Sequence, residues 1–155
     1  MKKIIFLIGL VLVASLLIGC SAKVKKASKN DKDIGMTQRI NKMDMTLNQV
    51  VTTNNQSKDT TQVMLVAEMS FKNTSKESIP VGANDFKIRD QDGEIYEIYG
   101  LEPDNFGEVV EPGKELTGAA YYELPKDTKN AVLVYQIESE PLGEWTFKVP
   151  NQKRK

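Results

Sequence analysis

The chain has 155 residues, with 21 basic and 21 acidic side chains, no histidine and a single cysteine. Lack of histidine removes the commonest zinc ligand and the commonest general base together, and one cysteine cannot form an internal disulfide. The neutral total hides an acidic stretch from Ile40 to Gln152, ten basic against nineteen acidic residues with no basic stripe, a poor match to nucleic acid.

The chain opens on Lys2 and Lys3, followed by an apolar run from Ile4 to Ile18. That run is long for the core of an export signal and short of the ~20 residues that span a bilayer. It closes on Leu17-Ile18-Gly19-Cys20. These four residues resemble the bacterial lipobox, which implies cleavage after Gly19 and a diacylglyceryl group on the Cys20 sulfur. Cysteine suits that chemistry because its thiolate is a strong nucleophile near neutral pH. Two acyl chains anchor stably where one is marginal, at ~0.8 kcal/mol per buried CH₂. The resemblance makes residues 1–19 a signal peptide and places the rest at the cell membrane, lipid-anchored on its extracytoplasmic face.

Residues 20–39 read as the acylated cysteine and a flexible basic linker. Lys23, Lys25, Lys26, Lys29, Lys32 and Arg39 outnumber Asp31 and Asp33, and the stretch has too little apolar surface to offset ordering. As a flexible chain it separates domain and membrane by roughly 25 Å.

From Ile40 the pattern turns to period two. Met43, Met45 and Leu47 alternate with polar residues, and a polar stretch from Thr52 to Thr61 follows as a loop. Val63, Leu65, Ala67, Met69 and Phe71 face one way in the clearest strand, whose first half is apolar on both faces. Asn73-Thr74-Ser75 turns the chain. It matches a glycosylation acceptor, as does Asn55-Gln56-Ser57, but the lipobox resemblance argues against that modification. Ile79-Pro80-Val81 is edge-like because proline cannot donate to a central ladder. Phe86 and Ile88 lead into Asp90-Gln91-Asp92-Gly93, a hairpin whose glycine supplies positive φ, and Ile95, Tyr96 and Ile98 return.

Tyr99 to Val110 reads as the longest connection inside the domain. Glu111-Pro112-Gly113-Lys114 is a tight turn. Leu116, Gly118, Ala120, Tyr122 and Leu124 then share one strand face, with Tyr121 on the other. Leu133, Tyr135 and Ile137 are expected to face the core from the next strand, with Val132 and Val134 opposite, and Trp145, Phe147 and Val149 close the domain. This predicts an all-β antiparallel sandwich of seven or eight strands over residues 40–150, with a basic tail at 151–155.

Phe71-Lys72-Asn73-Thr74-Ser75, Asn84-Asp85-Phe86-Lys87-Ile88-Arg89-Asp90 with Gly93, Pro112-Gly113, Gly118 and Tyr122-Glu123-Leu124-Pro125 follow in order. Together they resemble the small immunoglobulin-like domain of bacterial secreted lipoproteins catalogued as a domain of unknown function, which is similar to a mycobacterial secreted immunogenic protein. The resemblance implies a β-sandwich and an extracytoplasmic location, and carries no catalytic motif.

Asp90, Asp92 and Glu94 invite a calcium reading. With Gly93 at the sixth position of a calcium loop, Ile88 and Tyr99 would fall where oxygen ligands are required, so a hairpin tip is the better reading and no metal or other cofactor is assigned. No Ser-His or Cys-His pair can be built, and no SxxK-type signature is present. The favoured function is therefore a non-enzymatic interaction or ligand-binding module, monomeric, with an envelope protein or polymer as partner. Tyr99 and Phe106 are the expected aromatic anchors, unless Phe106 folds back to plug the sandwich. The alternative is a carboxylate-dependent enzyme acting on envelope polysaccharide.

Overall fold

A computed structural model describes residues 32–53, 61–100 and 105–151. Among them are ten strands and one short 3-10 turn at Ala83–Asp85. The strands are β1 (Thr37–Ile40), β2 (Met43–Thr53), β3 (Gln62–Asn73), β4 (Ile79–Gly82), β5 (Phe86–Asp90), β6 (Ile95–Tyr96), β7 (Gly107–Val110), β8 (Glu115–Pro125), β9 (Asn130–Tyr135) and β10 (Gly143–Lys148). They form an antiparallel sandwich. One sheet has the order β1-β2-β3-β8, the other β10-β9-β5-β6, and β4 and β7 make a separate two-stranded ribbon. The fold is the all-β antiparallel sandwich that the alternation predicts, of the immunoglobulin-like kind that the resemblance implies.

Period-two patterning explains the core directly, because alternate residues of a strand lie on one face. Val63, Leu65, Ala67, Met69 and Phe71 of β3 are all buried, as are Ala120, Tyr122 and Leu124 of β8. The other sheet contributes Phe86, Ile88, Leu133, Tyr135, Trp145 and Phe147. Strand β2 changes phase part-way, with Met43, Met45 and Leu47 inward and then Val50. A bulge between Leu47 and Gln49 makes the change, since one extra residue moves the following side chains to the opposite face.

The segment before β2 corrects the expected linker boundary. Thr37–Ile40 is a strand paired with β2, and the chain is already engaged at Asp33, whose backbone N–H donates to Thr146 O at 3.2 Å. Gly35 N then donates to Leu47 O, and the Trp145 indole N–H to Met36 O at 3.1 Å. Residues 33–40 thus run from Thr146 to Gly143 and join the two sheets along one open side. Composition suggested a linker because Thr37, Gln38 and Arg39 are polar. The segment is held by backbone hydrogen bonds together with Ile34 and Ile40, which pack on the core, and it covers the edge of β10.

The opposite side is closed in the same manner. Ile98 bridges to Tyr122, Tyr99 N donates to Tyr121 O at 2.7 Å, and Phe106 N donates to Ala119 O at 3.0 Å. The chain leaving β6 therefore lies along the free edge of β8. The registers also give the molecule two distinct ends. One holds the β1–β2 turn, the 136–142 connection and the 111–114 turn. The other holds the Gln91–Gly93 hairpin tip and Pro150, whose carbonyl accepts from the Thr52 hydroxyl.

Candidate functional site

Phe106 is not an exposed anchor. It is 7% exposed and inserts between the sheets, its ring centroid 4.7 Å from that of Phe71 and 5.6 Å from that of Phe86. Gly118 makes the space, for a β-carbon there would overlap Phe106 Cβ. Strand glycines often mark such close approaches. Tyr99 is half-buried, and its backbone is tied to β8. Tyr99 and Phe106 therefore do not form a paired aromatic surface, and residues 107–110 form β7 instead of open loop. Cys20 lies outside the described residues, as do Leu101, Glu102, Pro103 and Asp104 of the expected binding loop.

The reverse correction applies to Ile137. Strand β9 ends at Tyr135, because Gln136 N turns to Asp85 O at 2.8 Å, and Ile137 is 56% exposed. Val134, assigned to the outer face, is buried. Gln136 then organises the connection. Its side-chain amide donates to Glu138 O and Ser139 O, both at 2.8 Å, while Leu142 N returns to Tyr135 O. Gly143 starts β10 beneath Ile40, where a β-carbon would overlap Ile40 Cδ1.

The facing element is the β1–β2 hairpin. Ile40 pairs with Met43, so Asn41 and Lys42 are the two central residues of the turn, with φ of 48° and 65°. Two left-handed residues fit the right-handed twist of a hairpin, and asparagine tolerates that region better than lysine. Thr74 secures the turn, its N–H and hydroxyl both donating to Lys42 O. Between the turn and the connection lies a cleft of about 310 Å³ lined by Asn41, Ile137, Glu138, Ser139, Glu140 and Leu142. Leu142 is 42% exposed, so the cleft has two accessible apolar walls and two carboxylates.

The Asp90 hairpin has a structural explanation. Burial alone pushes the Asp90 carboxyl up, but donors from Asp92 N, Glu94 N and the Tyr96 hydroxyl outweigh it and hold the group below the usual carboxylate range. Burial and then Asp90 push Tyr96 up to about 12. The Asp90 oxygens are thus occupied within the turn. Among the described residues no group of three or more His, Cys, Asp or Glu side chains could hold a metal ion.

Asn73 is a residue whose role its turn-like setting concealed. It is fully buried. Its amide donates to Glu77 O and Val110 O at 2.7 and 2.8 Å, and its carbonyl oxygen accepts from Ser75 N and Oγ. The side chain of the apparent glycosylation acceptor therefore clamps the ends of β3 and β7. The Tyr122 hydroxyl, by contrast, is buried with no hydrogen-bond partner, and burial raises its pKa.

Comparison with known proteins agrees with this architecture. The yjhA protein of Bacillus subtilis superposes with a TM-score of 0.59 at 20% identity, over 76% of this chain and 99% of that one. The secreted protein MPT63 of Mycobacterium tuberculosis gives 0.56 at 15% identity, over 73% and 93% of the two chains. The candidate lipoprotein ycdA of Bacillus subtilis gives 0.55 at 16% identity over 76% of this chain, which spans only 39% of ycdA. At these identities the likeness is one of fold. Among curated proteins none matches the sequence. The family model of a domain of unknown function, DUF4352, matches residues 32–145, from the segment that joins the sheets to the last strand, and the chain belongs to that family.

Proposed function

We propose that the chain is a membrane-anchored extracytoplasmic lipoprotein, acylated at Cys20, whose sandwich is a non-enzymatic interaction module. The observation that carries the reading is the two-ended layout. The chain enters beside Thr146 and leaves past Val149 and Pro150, so its connections to both termini lie toward one end. The end with the Asn41–Leu142 cleft is left free to face away from an anchor. The names of two fold neighbours, a candidate lipoprotein and a secreted protein, are consistent with the same address. Among the described residues no helix is long and apolar enough to cross a membrane, and lipid on Cys20 supplies the attachment.

Neither Asp44 nor Asp90 suits the general-acid role that polysaccharide cleavage requires. A general acid needs a raised pKa. Asp44 is instead lowered by its hydrogen bond with Arg39, and Asp90 by its turn donors. Metabolic labelling with a tagged fatty acid tests the anchor. Label should enter the native chain and be lost in Cys20→Ser; label that persists in the variant overturns acylation at this site. The interaction reading fails if purified full-length chain cleaves an envelope polysaccharide and one acid-to-amide substitution abolishes the cleavage.

A further inference from the structure

We infer that the cleft between Asn41 and Leu142 is the recognition surface, and that its occupant is a lysine- or arginine-bearing, partly apolar segment of an envelope protein. This rests on reading the domain as an interaction module. Ile137 and Leu142 keep about half of their surface in water, although the core beside them is closed. They share the cleft with Glu138 and Glu140, for which no ion pair is present among the described residues. Apolar walls beside two carboxylates suit a side chain with the same division. The stem of a lysine or arginine covers the walls while its cation meets the acids. Acids at the site repel a polyanionic polymer.

The site is also held ready. Gln136 pins the carbonyls of Glu138 and Ser139, and Thr74 fixes the facing turn through Lys42 O. A connection already ordered loses less freedom when it binds.

The test uses isotope-labelled full-length chain in neutral detergent micelles, titrated with a soluble peptide of alternating lysine and leucine and with its glutamate–leucine counterpart. The lysine peptide should shift the backbone signals of Asn41 and of residues 137–142. Its affinity should fall about tenfold in Glu138→Gln/Glu140→Gln, and again in Ile137→Ser/Leu142→Ser, with less binding at high salt. These changes are at exposed positions, and unchanged signals from Phe71 and Trp145 establish that the fold is kept. Equal shifts with both peptides, shifts confined to another face, no shifts, or affinities unaffected by the substitutions overturn the proposal. Self-association that excludes the peptide also overturns it, by assigning the cleft to a second copy. None of these results touches the interaction reading itself, which polysaccharide cleavage would overturn.

Discussion

The connection from Glu97 to Phe106 leads from β6 to the β4–β7 ribbon, the connection from Gln136 to Leu142 joins the neighbouring strands β9 and β10 of one sheet, and both contain large apolar side chains. Their fates are opposite. The first lays Ile98, Tyr99 and Phe106 on the edge of β8 and buries Phe106 among Phe71, Phe86 and Gly118. The second is fastened by the Gln136 side-chain amide and by backbone bonds at its two ends, and leaves Ile137 and Leu142 partly in water. Hydrophobicity alone does not separate them. What separates them is whether a neighbouring strand offers a vacancy and an unpaired edge. Gly118 and the outer edge of β8 offer both to Phe106. Beneath the second connection Ile40 already covers Gly143 and Trp145, so no such vacancy remains.

Truncating the two apolar residues should separate the connections most strongly. Phe106→Ala should cost about 3–5 kcal/mol in chemical denaturation, the range for removing a buried ring. Ile137→Ala should stay within about 0.5 kcal/mol, as for an exposed side chain. Similar losses at both positions would mean that the connections are not distinct. The glycines sharpen the contrast. In Gly118→Ala the new methyl meets Phe106 Cβ, which cannot swing aside without moving the backbone, and a loss of about 1–3 kcal/mol is expected. Gly143→Ala meets the flexible tip of Ile40 and should cost less. A thermal melt of the two variants side by side reads the order, and a reversed order would show that the β8 edge is the more yielding.

Much of the sandwich was legible because strands announce themselves by period. The inward row Val63 to Phe71 and the Gly93 hairpin follow from alternation and turn chemistry, with no tertiary information required. The cleft was not legible, for a related reason. Alternation continues through Tyr135 to Ile137, yet the strand stops at Tyr135 when Gln136 N bonds Asp85 O, a partner more than fifty residues away in sequence. The period outlasts the strand. Phe106 sits in a stretch without alternation, and its burial depends on Gly118 in another strand. A glycine in the middle of β8 is the sequence signal for that approach. Likewise Asn41 is the signal for the β1–β2 hairpin, although Lys42 lacks the glycine usual at the second central position.

The smallest expected effect concerns how the first connection is launched. Tyr96 ends β6, immediately before that connection, and its hydroxyl donates to Asp90 Oδ2 at 3.0 Å. The Asp90 carboxyl is lowered in the folded protein, so its stabilisation is fully present above the unfolded carboxylate pKa of about 3.9. It is lost as pH falls through the lower, folded value. Tyr96 behaves with the opposite sense at the other extreme. Its hydroxyl is pushed up to about 12, so the neutral form is stabilised below the unfolded value of about 10. That contribution is lost as pH rises from about 10 to about 12. No titratable side chain holds the Gln136 amide, so the second connection should have no matching acid dependence. Asp90→Asn should cost about 1 kcal/mol near neutrality and flatten the acid limb of the stability profile. Tyr96→Phe should flatten the alkaline limb, and Gln136→Ala should leave both limbs unchanged. Amide exchange of residues 97–100, followed through the acid range against that of residues 137–140, supplies the local reading. If the first set loosens no sooner than the second as the carboxyl is protonated, Asp90 is not what anchors the start of the β8-edge connection.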